Sequence, residues 1–204
     1  MLELASLGAK VLQNRSVEMA KKLNVNLVSR SSFTPEVEGT LITKEENIME
    51  KPIVSGIALD KNQVRVGMYG VTDKPGIAAS IFTSLADENI NVDMIVQTVG
   101  VDGKTDLDFT IPTTDLIICK EVMAKFKEQA KDIDYNEEIC KVSVVGVGMK
   151  SHTGVASKAF TALANENINI RIISTSEIKI SMIIDEKYAE LAVRALHEAY
   201  DLDK

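Results

Sequence analysis

The sequence predicts an α+β protein built from two copies of one βαββαβ unit, the first inserted into the second, with antiparallel sheets that carry their helices on one face. Three observations predict it. The first is an internal repeat: Phe82-Thr83-Ser84-Leu85-Ala86-Asp87-Glu88-Asn89-Ile90-Asn91-Val92 returns 78 residues later as Phe160-Thr161-Ala162-Leu163-Ala164-Asn165-Glu166-Asn167-Ile168-Asn169-Ile170, identical at 8 of 11 positions. The same spacing pairs Val64 with Val142, Gly70 with Gly148, Gly76 with Gly154 and Ala78 with Ala156. A period that long marks a small domain rather than one turn of a solenoid. The second is the order in which strand and helix periodicities follow one another within each copy. The third is a mismatch in strand count: the second copy ends one strand short, while an apolar strand-like segment stands unclaimed ahead of the first.

The elements follow in chain order. Leu4, Leu7, Val11, Leu12, Met19, Ala20 and Leu23 recur at helical spacing, which predicts a helix over 2–23. A short strand at 25–28, a polar turn at 29–35 and the segment 39–43 come next. This opening third has no counterpart in either copy. One helix and one short strand make no sheet of their own, so it reads as part of a larger domain or an arm that docks on one. Ile53-Val54-Ser55-Gly56-Ile57-Ala58-Leu59 is the unclaimed strand.

In the first copy, Val64, Val66 and Met68 alternate on a half-buried strand. Thr72-Asp73-Lys74-Pro75-Gly76 turns the chain into a helix whose apolar face is Ile77, Ala78, Ile81, Phe82 and Leu85. The helix stops near Asn89, a residue that tolerates the left-handed cap conformation. A strand over 92–96, a hairpin turn at 101–104 and a strand through Leu107, Phe109 and Ile111 follow. Thr114 or Asp115 is placed to cap a helix running through Val122, Phe126 and Ala130, and a strand at 133–135 closes the unit. That order is the ferredoxin-like pattern. The second copy repeats it with a strand at 141–147, a helix at 154–166, strands at 169–174 and 177–184, and a helix at 186–199. Residues 201–204 are too few and too polar for a fourth strand, so 53–59 is expected to pair with the 141–147 strand or the sheet beside it.

Composition narrows the function classes. The formal charge of −7 is spread along 204 residues, with no cluster of Lys and Arg to meet a phosphate backbone. Nothing approaches the roughly 20 apolar residues of a membrane span, and no signal-peptide pattern opens the chain. Cys119 and Cys140 stand alone, without metal spacing, and read as reduced core thiols. His152 and His197 have no carboxylate or cysteine pattern around them. These features predict a soluble cytoplasmic protein with no metal site, no nucleic-acid partner and no membrane partner.

Each copy places a polar, glycine-containing loop between its first strand and first helix, at 71–76 and 148–154. Free backbone N–H groups at a helix start attract a carboxylate, and Asp73 can pair with an ammonium. Together they suit a free α-amino acid; the alternative is that Asp73 only caps the helix. Gly146-Val147-Gly148-Met149-Lys150-Ser151 fails as a phosphate loop, because Met149 stands where glycine must precede the Lys-Ser pair. Glu177, in the hydroxyl-rich turn Ser174-Thr175-Ser176-Glu177, either holds a ligand ammonium or is a solvated turn residue. Gln97 and Thr98 occupy the corresponding edge of the first copy. No Ser/His/Asp set or paired carboxylates emerge, so the residues describe a binding module without visible catalytic groups.

Thr72-Asp73-Lys74-Pro75-Gly76, Asn91-Val92-Asp93-Met94-Ile95-Val96-Gln97, Met149-Lys150-Ser151-His152-Thr153-Gly154-Val155 and Ile173-Ser174-Thr175-Ser176-Glu177-Ile178 resemble the tandem ACT domains of aspartate kinases. The opening, from Leu4-Ala5-Ser6-Leu7-Gly8-Ala9-Lys10-Val11-Leu12 through Arg15-Ser16-Val17-Glu18 to Ser31-Ser32-Phe33 and Glu38-Gly39-Thr40-Leu41-Ile42, is similar to the end of that family's kinase domain. The resemblance implies a division into 1–51 (kinase-domain end plus connector), 62–136 (first ACT domain), and 52–61 with 137–204 (second, discontinuous ACT domain). It implies feedback control by lysine, threonine or both over the reaction of ATP with L-aspartate to 4-phospho-L-aspartate. ATP and magnesium would belong to the absent kinase domain, so this chain is expected to bind no cofactor and to be inactive alone, as a regulatory subunit or fragment. The resemblance also implies a homodimer in which the first ACT domain of one chain lies beside the second of another, and association with a full-length or catalytic subunit. At one effector site Asp73, Gly76, Ile77, Ala78 and Gln97 would meet Asn169 and Ile170 of the partner subunit. Asp73 would take the ammonium, the helix-start amides the carboxylate, and Gln97 a polar side-chain group. A second site would use Ser151, His152, Thr153, Gly154, Val155, Ser176 and Glu177 against Asn91 and Val92 of the partner subunit. The alternatives are an ACT regulator of another amino-acid pathway enzyme, a catalytically active fragment, and a dimerisation module without a ligand.

Overall fold

The structure, a computed structural model, describes residues 1–9, 11–43, 53–100, 103–146 and 153–202. It holds two four-stranded antiparallel sheets and, apart from them, a two-stranded ribbon. In the first domain β4 (Val64–Thr72), α3 (Ile77–Asp87), β5 (Ile95–Val99), β6 (Lys104–Ile111), α4 (Leu116–Ala124) and β7 (Asp132–Asn136) give a sheet of order β5-β6-β4-β7. In the second, β8 (Ile139–Val145), α5 (Val155–Asn165), β9 (Ile172–Thr175), β10 (Lys179–Asp185) and α6 (Ala189–Ala199) are completed by β3 (Gly56–Asp60), in the order β3-β8-β10-β9. The strand missing from the second copy thus comes from before the first: Ile57 faces Val144 and Asp60 faces Lys141. The first unit is inserted into the second.

Alternation explains the layers. Val64, Val66 and Met68 of β4 and Leu107, Phe109 and Ile111 of β6 turn one way, onto Ile81, Leu85, Cys119, Val122 and Met123 of α3 and α4. Phe82 meets Phe109 edge-on, centroids 5.5 Å apart. Cys140, Val142, Val144, Ile180, Met182 and Ile184 do the same under α5 and α6. Both cysteines are buried and free, as core thiols should be.

The faces turned away from the helices differ. On the second sheet, Leu4 of α1 (Leu2–Ser6) and Leu7 at its C-cap cover Ala58 and Val145 at one end. At the other end Met94 and Val96 of the first domain close over Ile139, Ile172 and Ile183. Between them Ser143 and Ser181 share a hydroxyl hydrogen bond of 2.8 Å. On the first sheet the corresponding face is polar: Arg65 pairs with Asp108 at 2.7 Å and with Asp134 at 3.4 Å, and Tyr69 bonds to the same guanidinium. Gly67 makes room for this layer, since a Cβ there would lie 2.4 Å from Asp134 Oδ1.

Several boundaries differ from the sequence expectation. The helix expected over 2–23 is two, α1 and α2 (Asn14–Leu23), because Gly8 takes φ +109° where a Cβ would meet Leu59 O at 2.5 Å. Gln13 then caps α2, its Oε1 accepting from the Ser16 N–H at 2.9 Å. The opening third does form a sheet of its own: β1 (Leu27–Ser29) pairs with β2 (Thr40–Ile42), Val28 opposite Leu41. β5 starts three residues later than the predicted 92–96 strand. Val92 stays against the first core and Met94 leaves for the contact between domains, so alternation is broken there. β9 likewise begins at Ile172 rather than 169, and Glu177 lies in the turn before β10. Neither Thr114 nor Asp115 caps α4 with its side chain; a 3₁₀ turn at Thr113–Asp115 leads in, and the helix ends at Ala124. Of the predicted 101–104 hairpin turn and 141–147 strand, residues 101, 102 and 147 lie outside the described residues.

Candidate functional site

The first loop leaves β4 at Thr72 and enters α3 at Ile77. Its backbone is braced from two sides: the Thr72 N–H donates to Gln129 O at 3.2 Å, and the Asp73 N–H to Gly103 O at 2.9 Å. Gly76 is the N-cap residue at φ +95°, a conformation that disfavours any residue with a Cβ, and nothing lies within 4 Å of where one would sit. The mouth of the loop is therefore open, and glycine is needed for its φ rather than for space. No side chain caps α3. Asp73 is exposed and not a helix cap, which removes the structural alternative for it. The Ile77 N–H donates to Lys74 O at 3.2 Å, and half-buried Ile77 and Ala78 stand at a helix start whose next amides have no intrahelical partner.

Gln97 belongs to the same end of the sheet. β4 and β5 run parallel with β6 between them, and Thr105 faces both Val71 and Val99. Gln97 is opposite Leu107, whose side chain packs under the helices, so Gln97 stands on the helix-bearing face at the sheet's edge, about 10 Å across from β4.

The second loop is built alike. Gly154 caps α5 at φ +91°; among the described residues nothing lies within 4 Å of where its Cβ would sit, and no side chain caps the helix. Thr153 is exposed. Val155 turns its side chain into the second core, and its carbonyl accepts from the Tyr200 hydroxyl at 2.6 Å, which fixes the helix start from behind. Burial pushes the Tyr200 hydroxyl up to about 12, so it stays a donor. Ser151 and His152 lie outside the described residues. Ser176 and Glu177 form the turn between β9 and β10. The Ser176 N–H donates to Lys179 O at 2.8 Å and its Oγ accepts from the Ile178 N–H at 3.3 Å, while Glu177 is exposed.

The remaining site residues follow each first helix. Asn89 and Asn167 take φ +59° and +56° at the helix ends, as expected of asparagine there. Asn91 and Asn169 are exposed beyond them, while Val92 and Ile170 pack into their own cores and fix the asparagines' place. The chain brings each loop together with its own sheet edge. Asn169 and Ile170 sit on the other domain from Asp73, and Asn91 and Val92 on the other domain from Thr153.

What the residues alone did not reveal is the character of those edges. Among the described residues, β5 and β9 end their sheets without a further partner strand. Ile95 is 52% exposed, Val99 93% and Ile173 45%. Apolar side chains on an open strand edge invite a second strand. The signal was present in the density of Ile and Val over 95–99, but exposure there is a tertiary property. Lys141, too, has no signature in the spacing: it lies within the otherwise apolar or hydroxyl-bearing β8 and reaches Asp93 and Asp60. Among the described residues, no group of His, Cys, Asp or Glu is placed to hold a metal, and no helix is long and apolar enough to cross a membrane.

A family model for the ACT domain matches residues 64–124 and 142–200, the two βαββαβ units apart from β3 and β7. The chain belongs to the ACT domain family. Within it the likeness is to aspartokinases. The aspartokinase of Helicobacter pylori (strain ATCC 700392 / 26695) is 66% identical over 208 residues, taking in 100% of this chain and 51% of that protein. The regulatory subunit of aspartate kinase from Thermus thermophilus, solved ligand-free, is 40% identical with a TM-score of 0.69, covering 72% of this chain and 98% of that one. E. coli aspartokinase III, solved with lysine and aspartate, is 25% identical with a TM-score of 0.75, covering 97% of this chain and 44% of that one. The chain thus spans about half the length of the curated aspartokinases it matches.

Proposed function

We infer that this chain is the amino-acid-sensing regulatory part of an aspartate kinase, and that it controls, without performing, the ATP-dependent phosphorylation of L-aspartate. The observation that carries the reading is the repeated arrangement of an open, uncapped helix start beside an unpaired, apolar sheet edge, Asp73 to Gly76 with Gln97 in one domain and Thr153 to Val155 with Ser176 and Glu177 in the other. Two chains set with β5 of one along β9 of the other would cover both edges and bring each loop to the asparagine it lacks. An amino acid then binds between chains: its carboxylate on the amides at the start of α3, its ammonium on Asp73, its side chain toward Gln97, closed over by Asn169 and Ile170 of the partner subunit. Ser151 to Val155, Ser176 and Glu177 with Asn91 and Val92 of the partner subunit make the pseudo-equivalent site.

Residues 1–51 link this sensor to the kinase. α1 docks on the second sheet, so a change in that sheet's setting is passed to whatever the opening segment is built into. Lysine or threonine acts by binding one arrangement of the ACT pair better than another, and coupling follows from that difference in affinity. The lysine held by the E. coli neighbour favours lysine as one effector.

The test is calorimetric titration of the purified chain with lysine and threonine, each alone and after saturation with the other, alongside sedimentation. Binding of either in the micromolar-to-millimolar range, by a dimer, is the expected result. A folded dimer that binds neither amino acid would leave a dimerisation module in place of the sensor.

A further inference from the structure

Between the domains lies a cation that the effector site, as read above, does not use. Lys141 is on the face of β8 turned away from α5 and α6, flanked by buried Ile139 and Ser143, and its own side chain is 3% exposed. Its ammonium pairs with Asp93 of the first domain and lies 3.7 Å from Asp60. Asp60 is itself held, accepting from the Asn62 N–H at 2.9 Å and from Gln63 Nε2 at 2.7 Å. Asp93 accepts from Lys141 with its carboxylate, and its backbone N–H donates to Thr110 O at 3.0 Å. It directly follows Asn91 and Val92 and directly precedes Met94, which is buried against Ile139, Ile172 and Ile183 of the second domain.

The repeat allows a comparison at the other site. There Asn169 and Ile170 are followed by Arg171, which pairs with Asp185 of its own domain at 2.6 Å. The residue of the first domain that corresponds to Lys141 is Gln63, which is uncharged. Among the described residues, the link across domains at these positions therefore exists on one side only. A buried ammonium is not re-solvated by a small shift, so Asp93 either keeps Lys141 or the contact between domains must rearrange. Packed contacts of this kind switch between arrangements rather than deform smoothly.

We propose that Lys141 is a positioning residue that ties the Asn91–Val92 segment, through Asp93, to the second domain's sheet, so that a free amino acid bound at Asn91 resets the two domains relative to each other while one bound at Asn169 does not. This rests on Asn91 and Val92 being effector contacts. The test uses the full chain with Lys141→Met and Asp93→Asn, and Lys61→Met as a control that removes an exposed pair with Glu190. Lysine and threonine are the probes, read by amide exchange and calorimetry. Without ligand, exchange over 90–96 rises about tenfold in both variants and not in the control. With ligand, wild-type protection spreads from 90–96 to 139–145, and in the variants it stops at 96 with affinity lowered about tenfold. Lys141→Arg restores the spread, which a loss of stability alone would not predict. Should Lys141→Met fail to fold, Asp93→Asn carries the same readouts. Unchanged exchange, or protection that reaches 139–145 in the variants, overturns the proposal and leaves the sensor reading intact. A wild-type chain that binds neither amino acid removes both.

Discussion

Asp73→Asn separates a ligand contact from a structural role. The substitution keeps the side chain's shape and removes its charge. In the structure the fold uses only the residue's backbone, whose N–H donates to Gly103 O; the side chain is exposed and caps nothing. An exposed change of this kind alters stability by about 0.5 kcal/mol or less. A hydrogen bond to a charged group contributes about 1.5–3 kcal/mol, so losing the carboxylate beneath a ligand ammonium should weaken binding about 10- to 150-fold. The assay is calorimetric titration of wild type and variant with whichever of lysine or threonine binds, paired with thermal melts. The expected result is a large loss of affinity with an unshifted melting temperature. Wild-type affinity in the variant would remove Asp73 from the site. A lower melting temperature in step with lower affinity would mean that the carboxylate supports the loop instead.

Three other perturbations probe other parts of the structure. Val99→Lys, at an exposed position on the open β5 edge, should leave the monomer's stability within about 0.5 kcal/mol while shifting sedimentation toward monomer, because a charge blocks strand-to-strand approach. Gly76→Ala meets no atom within 4 Å and should cost about 1–2 kcal/mol in a denaturant melt, the strain of a positive φ alone. Gly146→Ala would put a Cβ 1.9 Å from Ile53 O and should cost about 3 kcal/mol or more, so the order of the two melts is the check. Burial, with Glu186 adding to it, pushes the Cys140 thiol from 9.0 up to about 12. The folded chain thus holds the proton more tightly than the unfolded one. That contribution is complete below pH 9 and is lost as pH rises toward 12, and Cys140→Ala should flatten this alkaline fall in stability.

Much of the fold was legible because two copies testify to each other. The Phe82 and Phe160 helices, the turns at Gly76 and Gly154, and the asparagines at 89 and 167 were each supported twice. The strand at 53–59 was found by subtraction, since the second copy lacked one. What stayed hidden depends on contacts between elements. Met94 interrupts alternation to reach the second domain, so β5 was placed too early. Gly8 breaks a helical pattern because Leu59 stands against it, and no local rule reports that. At the site, the glycine-ended loop was readable from Asp73 to Gly76, and the structure shows that Asp73 does not cap α3. The bare apolar edges of β5 and β9 and the buried Lys141 were not readable, because exposure and pairing belong to the folded chain.

The insertion also has a consequence for how the molecule can be taken apart. The chain leaves the second sheet at the end of β3 and returns at the start of β8, where Asp60 and Lys141 are neighbours across the ladder. Adjacent antiparallel strands stand about 5 Å apart, so the two break points are within reach of a connection a few residues long. The 62–136 segment is correspondingly continuous, with both its ends on neighbouring strands, β4 and β7. One cut-and-join therefore releases a contiguous first module and leaves behind a second whose hairpin is closed by a turn, each with its own helix-covered core. A lineage, or a designer, can exchange the guest sensor while leaving the host sheet and its docked opening helix as they were.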